Sequence, residues 1–397
     1  MRTGEGFPAR RCMCGSKAKV PNAGFHAPDG PPAVVRGWCP TAWRPMMAGD
    51  GLLVRVRPPL GRLTVAQALA LALAAARHGN DLIDLTNRAA LQIRGVTEQS
   101  HAALIGELIA HGLTDADPIR EGRRAILLTP DWTQGDDTHG IALSLLARLD
   151  ELPDLPAKIG IAIDTGPAPA LSETPADFRF ERSEDGTLLL RADGRAQGTP
   201  ITTDSAIDAL IALTRWFVAS GGMEAGRMRR HHAPIPDAPR IAPAPPRAPL
   251  QTLGTAPGPF HGVPFGQLDS AALIALAHGA TALHLTPWRG LIVEGGTATP
   301  RHGLTDPLLQ IDACPGAPAC PQATVETRAL AARLAPHAKS RLHISGCAKG
   351  CARPRPADLT LTGRDGRFDL AQQARAGSPP IRTGLTPDDI TALIGLP

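Results

Sequence analysis

The chain has 397 residues and carries 41 Lys and Arg against 37 Asp and Glu, a formal net charge of +4. That length buries a large core and implies two or more domains, and so small a net charge in so long a chain gives no sign of nucleic-acid or membrane binding. No apolar stretch is long enough to span a membrane, since Val65 to Ala76 runs directly into Arg77-His78.

Residues 1–33 are basic and then Gly/Pro-rich, without the long apolar core of a signal peptide. Cys12 and Cys14 in this extension read as an incidental pair, with metal binding as the alternative. The seven cysteines are an odd number, and their close pairs look like ligands rather than a secreted disulfide framework. A reducing cytoplasm is the expected location.

After Asp50-Gly51, the segment Leu52 to Arg57 alternates apolar and basic residues, as a strand with one buried face does. Thr64 is placed to cap an Ala/Leu-rich helix ending near His78-Gly79. Strands are expected at Asp81 to Thr86 and Leu91 to Arg94. This β-α-β-β unit over residues 34–96 is half of a ferredoxin-like sandwich. Residues 97–226 read as an α/β lobe. Helices are expected at Thr97 to Leu113, Asp137 to Leu149 and Asp204 to Val218, with strands at Ala125 to Thr129 and Lys158 to Asp164. Residues 227–256 are dominated by Pro and Ala and read as an extended linker.

A second half-unit is expected over 257–300. His78-Gly79, Leu85-Thr86, Leu91 and Gly95 recur 200 positions later as His278-Gly279, Leu285-Thr286, Leu291 and Gly295. One register without a gap points to duplication, with chance similarity of two such units as the alternative. Residues 301–397 form the second lobe. There a helix is expected from Ala319 to Ala335, starting at Cys320-Pro321, and a strand from Arg341 to Ser345. A meander over Leu359 to Leu370 and a helix over Thr386 to Ile394 follow.

Four cysteines organise this lobe: Cys314 and Cys320 in C-P-G-A-P-A-C, and Cys347 and Cys351 in G-C-A-K-G-C. Two short-spaced thiolate pairs on Gly/Pro-rich turns can each cover one edge of a 4Fe-4S cube. Tetrahedral zinc is an alternative, although five residues between the first pair exceed the usual zinc spacing. Buried thiols or two disulfides are another.

The spacing C-x5-C followed by C-x3-C resembles the sulfite and nitrite reductase superfamily. Within it, Ser345-Gly346-Cys347-Ala348-Lys349-Gly350-Cys351 is most similar to the precorrin-3B synthase family of aerobic cobalamin biosynthesis. The siroheme reductases read G-C-P-N-G-C there, so Ala348 and Lys349 depart from their pattern. Arg36-Gly37-Trp38-Cys39-Pro40 and Gly49 to Arg55 also resemble the synthases. Cys39 reads as a buried structural thiol, with a place in the active site as the alternative.

The resemblance implies an α+β, pseudo-twofold sulfite/nitrite reductase-like fold: two ferredoxin-like half-units and two larger α/β lobes holding cofactors between them. In the siroheme reductases a T-x-R-x-x-x-Q-x-[HR] segment holds the tetrapyrrole carboxylates, and Thr86, Arg88, Gln92 and Arg94 match it. Arg55 and Arg57, on one strand face, join these as expected substrate-binding residues. Arg124 and Lys158 match residues at the reductases' distal anion pocket and are the expected catalytic pair. Gly160 and Ala157 replace the second lysine and an arginine of that motif, which argues against sulfite reduction.

The activity implied is O2-dependent hydroxylation of precorrin-3A, with lactone formation. Its cofactors would be a 4Fe-4S cluster and either a non-haem iron or siroheme. Electrons would come ultimately from NAD(P)H through a partner reductase or ferredoxin, since no G-x-G-x-x-G is present. His78, His101, His111, His139 and His343 are candidate iron ligands without a two-His-one-carboxylate spacing, and each reads more simply as structural. Two rivals stand beside this reading: a siroheme sulfite or nitrite reductase, and a non-catalytic electron-transfer or tetrapyrrole-binding module.

Overall fold

Gly51, at φ +119°, closes a tight hairpin between β1 (Met46–Ala48) and β2 (Gly51–Val56). The structure is a computed structural model and is described for residues 38–236, 239–248, 253 and 256–394. The extension, with Cys12 and Cys14, and the Arg36-Gly37 pair lie outside the described residues.

A left-handed Leu60 then turns the chain into β3 (Arg62–Thr64). Thr64 caps α1 (Val65–His78) through a reciprocal box with Gln67. β4 (Leu82–Leu85) and β5 (Leu91–Val96) complete the unit. In the first lobe come α2 (Glu98–Ala110), α3 (Pro118–Arg123), β6 (Ile126–Leu128), α4 (Asp137–Ala147) and β7 (Ile161–Ile163). β8 (Phe178–Arg182), β9 (Leu188–Ala192), β10 (Thr199–Pro200) and α5 (Ala206–Ala219) follow. Lys158 sits in a turn ahead of β7 rather than opening it; the Ile159 N–H donates to Pro156 O at 2.9 Å.

The second half-unit comprises β11 (Phe260–Gly262), β12 (Gln267–Asp269), α6 (Ser270–Ala277), β13 (Ala282–Leu285) and β14 (Gly290–Glu294). Its backbone repeats that of the first. Leu60 and Phe265 share φ near +58°, Ala89 and Arg289 are both left-handed in the β4–β5 and β13–β14 turns, and Gly95 and Gly295 match at φ +68° and +71°. The duplication read from the sequence is therefore present in the conformation.

The two half-units exchange strands. β3 pairs antiparallel with β13, and β12 pairs with β4, so the sheets run β1-β2-β5-β4-β12 and β11-β14-β13-β3. Leu71 and Ala75 of α1, Leu273 and Ala277 of α6, and Ile83, Ile93, Leu283 and Leu291 from both sheets form one core. Neither half can bury its apolar face alone.

The second lobe contains β15 (Ile311–Ala313), α7 (Arg328–Leu334), β16 (Leu342–Ser345), β17 (Ala357–Arg364), β18 (Arg367–Ala374), β19 (Arg382–Leu385) and α8 (Pro387–Ile394). Both lobes have one topology: three parallel strands (β6-β7-β8 and β15-β16-β17) continued by two antiparallel ones. The architecture is α+β and pseudo-twofold, as expected. Among the described residues no helix is long and apolar enough to cross a membrane.

Two expected elements differ. The helix expected over Ala319 to Ala335 begins only at Arg328; the preceding residues are turns, with Cys320 N–H on Gly316 O at 2.8 Å and Ala323 N–H on Cys320 O at 3.0 Å. The expected linker is extended but docked on the first lobe. Met228 is fully buried, Ile241 bridges to Gly198, the Ala244 N–H donates to Arg182 O, and Arg247 pairs with Asp131 at 2.8 Å.

Candidate functional site

The four cysteines come from two loops at one end of the second-lobe sheet. Cys314 directly follows β15, and Cys347 follows β16 by one residue. The loops are tied together: the Gly346 N–H donates to Cys314 Sγ at 3.2 Å, and the Thr324 N–H donates to Gly346 O at 3.1 Å. A side chain at Gly346 would bring its Cβ within 2.6 Å of Ala323 Cβ, so the close approach of the loops requires glycine there.

Burial pushes the Cys351 thiol up to about 11; Lys349 opposes this, and each of the other three thiols adds to it. Burial likewise raises Cys347, with Cys320 and Cys314 contributing. The four sulfurs are thus within electrostatic reach of one another. Thiols held protonated by their surroundings become ligands when a metal centre supplies the compensating charge. This soft, all-sulfur donor set suits an iron-sulfur cluster. All four are free thiols, and among the described residues no three His, Cys, Asp or Glu surround a single metal ion.

The first thiol loop docks on the β1–β2 hairpin. The Gly49 N–H donates to Ala319 O at 3.1 Å, and a Cβ on Gly49 would lie 2.7 Å from Pro318 O. The second loop reaches the first lobe through Arg355, which pairs with Glu173 at 2.6 Å. Beneath both loops the buried Asp312 carboxylate holds Arg289, Arg341 and Arg353 at 2.6–3.2 Å.

A cationic pocket opens on the first half-unit. Cys39, Arg55, Arg57, Arg88, Ala157, Ile159 and Pro175 are among its walls. Arg55 leaves β2 opposite Gln92 on β5, and its Nη2 donates to Gln92 Oε1 at 2.6 Å. Arg88 projects from the β4–β5 turn, where Thr86 Oγ1 accepts the N–H groups of Arg88 and Ala90. Burial lowers Arg55, and burial together with other guanidiniums lowers Arg88. Arg57 falls to about 10, chiefly by burial, with Glu121 opposing. Lys158 is close enough to act on Cys39.

Of the residues expected to grip a substrate, the pocket brings together Arg55, Arg57 and Arg88. Gln92 orients Arg55, and Thr86 shapes the turn. Arg94 is placed differently: Asp50 accepts its Nε and Nη2 at 2.8 and 2.7 Å, and Asp84 accepts its Nη1 at 2.7 Å. Only 3% exposed, it is a strut of the half-unit. Arg124, expected to face a distal anion, donates to Glu121 at 2.7 Å and to Arg57 O at 2.7 Å. It holds Arg57, and the two line a small neighbouring cavity with Pro58 and Leu60.

The sequence reading missed Glu121, which is fully buried and anchors both Arg57 and Arg124. An acid inside the basic run Arg120 to Arg124 was the available signal. It also missed Asp177, fully buried and bonded to the Gly160 N–H at 3.0 Å and to Arg227 Nε at 2.8 Å.

The candidate histidines are dispersed. His78 pairs with Glu107, His101 meets Ala42 O, and His139 stacks on Trp132. His111 ends α2 at the surface. His343 is fully buried, and desolvation lowers it to about 4.

Residues 44–111 match the family model described as nitrite/sulfite reductase ferredoxin-like half domain. A ferredoxin-nitrite reductase of Synechococcus elongatus is 26% identical, covering 84% of this chain and 80% of its own. The Mycobacterium tuberculosis NirA structure superposes with a TM-score of 0.58 over 86% of this chain and 79% of that one, at 18% identity, and so supports the fold alone. A precorrin-3B synthase of a Sinorhizobium species is 32% identical across 87% of this chain and 84% of its own. Given that similarity over most of both chains, this chain belongs to the precorrin-3B synthase family.

Proposed function

We propose that the chain is an oxidoreductase that binds precorrin-3A in the Arg55–Arg57–Arg88 pocket and hydroxylates it with O2, with closure of a lactone by the ring A acetate. The observation that carries this is the pocket's excess of positive charge: Arg55, Arg57 and Arg88, all held below their ordinary range chiefly by burial, line one pocket, and among the described residues only Arg57 has an ion-pair partner, Glu121. A guest fringed with acetates and propionates relieves their mutual repulsion and supplies acceptors for planar donors.

The residues divide the work. Arg88 and Arg55 bind rim carboxylates, while Gln92 fixes the Arg55 plane. Glu121 keeps Arg57 charged and in place. Lys158 adds a further cation within electrostatic reach of Cys39. Cys314, Cys320, Cys347 and Cys351 would hold a 4Fe-4S cluster, which supplies single electrons when bound. Those electrons would come from a partner reductase or ferredoxin, ultimately from NAD(P)H, in a reducing cytoplasm.

A siroheme nitrite or sulfite reductase is the second reading, favoured by the nitrite reductase relative. Against it, Gly160 and Ala157 stand where the reductase motif has its second lysine and an arginine, so the anion pocket lacks two of that motif's cations. The test is anaerobic mixing with precorrin-3A, followed by O2 and a reductant. A product heavier by one oxygen atom supports the proposal. Unchanged substrate contradicts it in favour of a binding or electron-transfer module, and a siroheme Soret band in anaerobically purified protein favours the reductase.

A further inference from the structure

Cys39 is the one described cysteine outside the thiol cluster, and it lies within the cationic pocket. Its segment is fixed. The Trp38 ring lies 4.2 Å from the Arg44 guanidinium, the Arg55 N–H donates to Thr41 O at 3.4 Å, and Ala42 is fully buried with its carbonyl 2.9 Å from His101 Nε2.

We propose that Cys39 is a modification site, a nucleophilic thiol reached by electrophiles that carry a carboxylate, and that capping it closes the pocket to carboxylated guests. Three observations converge on it. The residue is half-buried and lines the same pocket as Arg55, Arg57 and Arg88. Arg55 is only 8% exposed and its side chain bonds Gln92 and Cys39, yet its Nε has no hydrogen-bond partner, which leaves one buried donor unsatisfied beside the thiol. Finally, burial pushes the thiol up, but Arg55, Arg88 and Lys158 outweigh it and the balance falls below the ordinary value. The cluster thiols Cys347 and Cys351 shift the opposite way. A cation-flanked, accessible thiol is the reactive kind.

With iodoacetate as the probe, the carboxylate is drawn to the guanidiniums and the sulfur attacks the neighbouring methylene. The thiolate electron pair forms the C–S bond, the C–I bond breaks, and iodide leaves with its pair. The thiol's proton is lost to solvent before the attack, and no oxidant is needed. This inference rests on the pocket's charge and the thiol's position, not on the oxygenation chemistry proposed above. A protein that shows this reactivity but leaves precorrin-3A unchanged would uphold the one and sink the other.

The experiment treats the full chain at pH 7 with iodoacetate or iodoacetamide and follows the Cys39 peptide by mass, with glutathione as the reference thiol. Charge focusing predicts that iodoacetate outpaces iodoacetamide at Cys39 by about 10-fold relative to their ratio for glutathione. Benzene hexacarboxylate, a compact polycarboxylate that should compete for the same guanidiniums, should slow the labelling. Arg88→Gln, which removes no ion pair, should bring the ratio back toward that of glutathione. Arg55→Gln should do the same where it folds. A Cys39 ratio equal to that of glutathione, or labelling insensitive to both the polycarboxylate and Arg88→Gln, overturns the proposal.

Discussion

Arg55 and Gln92 face each other across β2 and β5, and the 2.6 Å bond from Arg55 Nη2 to Gln92 Oε1 fixes the guanidinium plane at the back of the pocket. Gln92→Leu keeps the volume but removes the acceptor, leaving a buried charged group short of one hydrogen bond. The expected loss is about 1–3 kcal/mol in urea unfolding, with weaker binding of carboxylated tetrapyrroles. An unchanged unfolding midpoint would show that Arg55 finds another acceptor.

Arg88 and Arg94 lie six residues apart in one matched motif, yet should behave oppositely. Among the described residues the Arg88 side chain has no ion-pair partner and makes one long bond, to Pro175 O at 3.5 Å. Arg88→Ala should leave stability within about 0.5 kcal/mol and weaken the binding of a carboxylated tetrapyrrole by about 10-fold or more, through loss of a charge-assisted bond. Arg94→Ala removes the ion-pair partner of Asp50 and the nearer of the two held by Asp84 and should destabilise the fold by about 3 kcal/mol. Binding titrations and thermal melts on the two variants separate the roles.

Glu121 is the hidden anchor. Its carboxylate lies 2.7 Å from Arg124 and 3.6 Å from Arg57, and it accepts the Asp115 N–H at 3.0 Å. Glu121→Gln leaves two buried guanidiniums without a counter-charge. A loss of about 3–5 kcal/mol is expected, visible as a lower melting temperature, while Glu121→Asp should lose less. Equal melting of Glu121→Gln and wild type would contradict this role.

Much of the frame was legible because it obeys local rules. Thr64 with Gln67 announces its helix, Leu52 to Val56 alternates, and the 200-residue register exposes the repeat. The exchanged strands were not, because three residues at Arg62–Thr64 or Gln267–Asp269 carry no periodicity; only the left-handed Leu60 and Phe265 aim them into the opposite half. The apolar and Ala-rich run after Cys320 reads as helix, but the turns that serve the thiol loop use its first residues. Motif matching placed Arg94 and Arg124 in the site because it registers arginines and not the acids that neutralise them, and Asp50, Asp84 and Glu121 become partners only through the fold.

Asp164 gives the pH dependence a sign. Burial raises its carboxyl from 3.8 to about 6, against the N–H groups of Leu171 and Ala170 that favour the charge. The folded state therefore holds this proton more tightly than the unfolded chain. The stability it contributes is fully present below 3.8 and is lost as pH rises through about 6. Asp164→Asn keeps an acceptor for both N–H groups and cannot ionise. Relative to that variant, wild type should lose on the order of 2–3 kcal/mol between pH 4 and pH 7, measured by urea unfolding at both values. A difference that does not change with pH would refute the assignment.

The account depends on a carboxylate-fringed macrocycle held by Arg55, Arg57 and Arg88 and on the electron source that Cys314, Cys320, Cys347 and Cys351 would hold. A single turnover of precorrin-3A under isotopically labelled dioxygen, with reductant supplied, tests it most directly. One labelled oxygen atom in the product of the wild-type protein, and little product from Arg88→Ala, is the expected result. Unlabelled or unchanged tetrapyrrole from protein whose four cysteines carry their iron would contradict it.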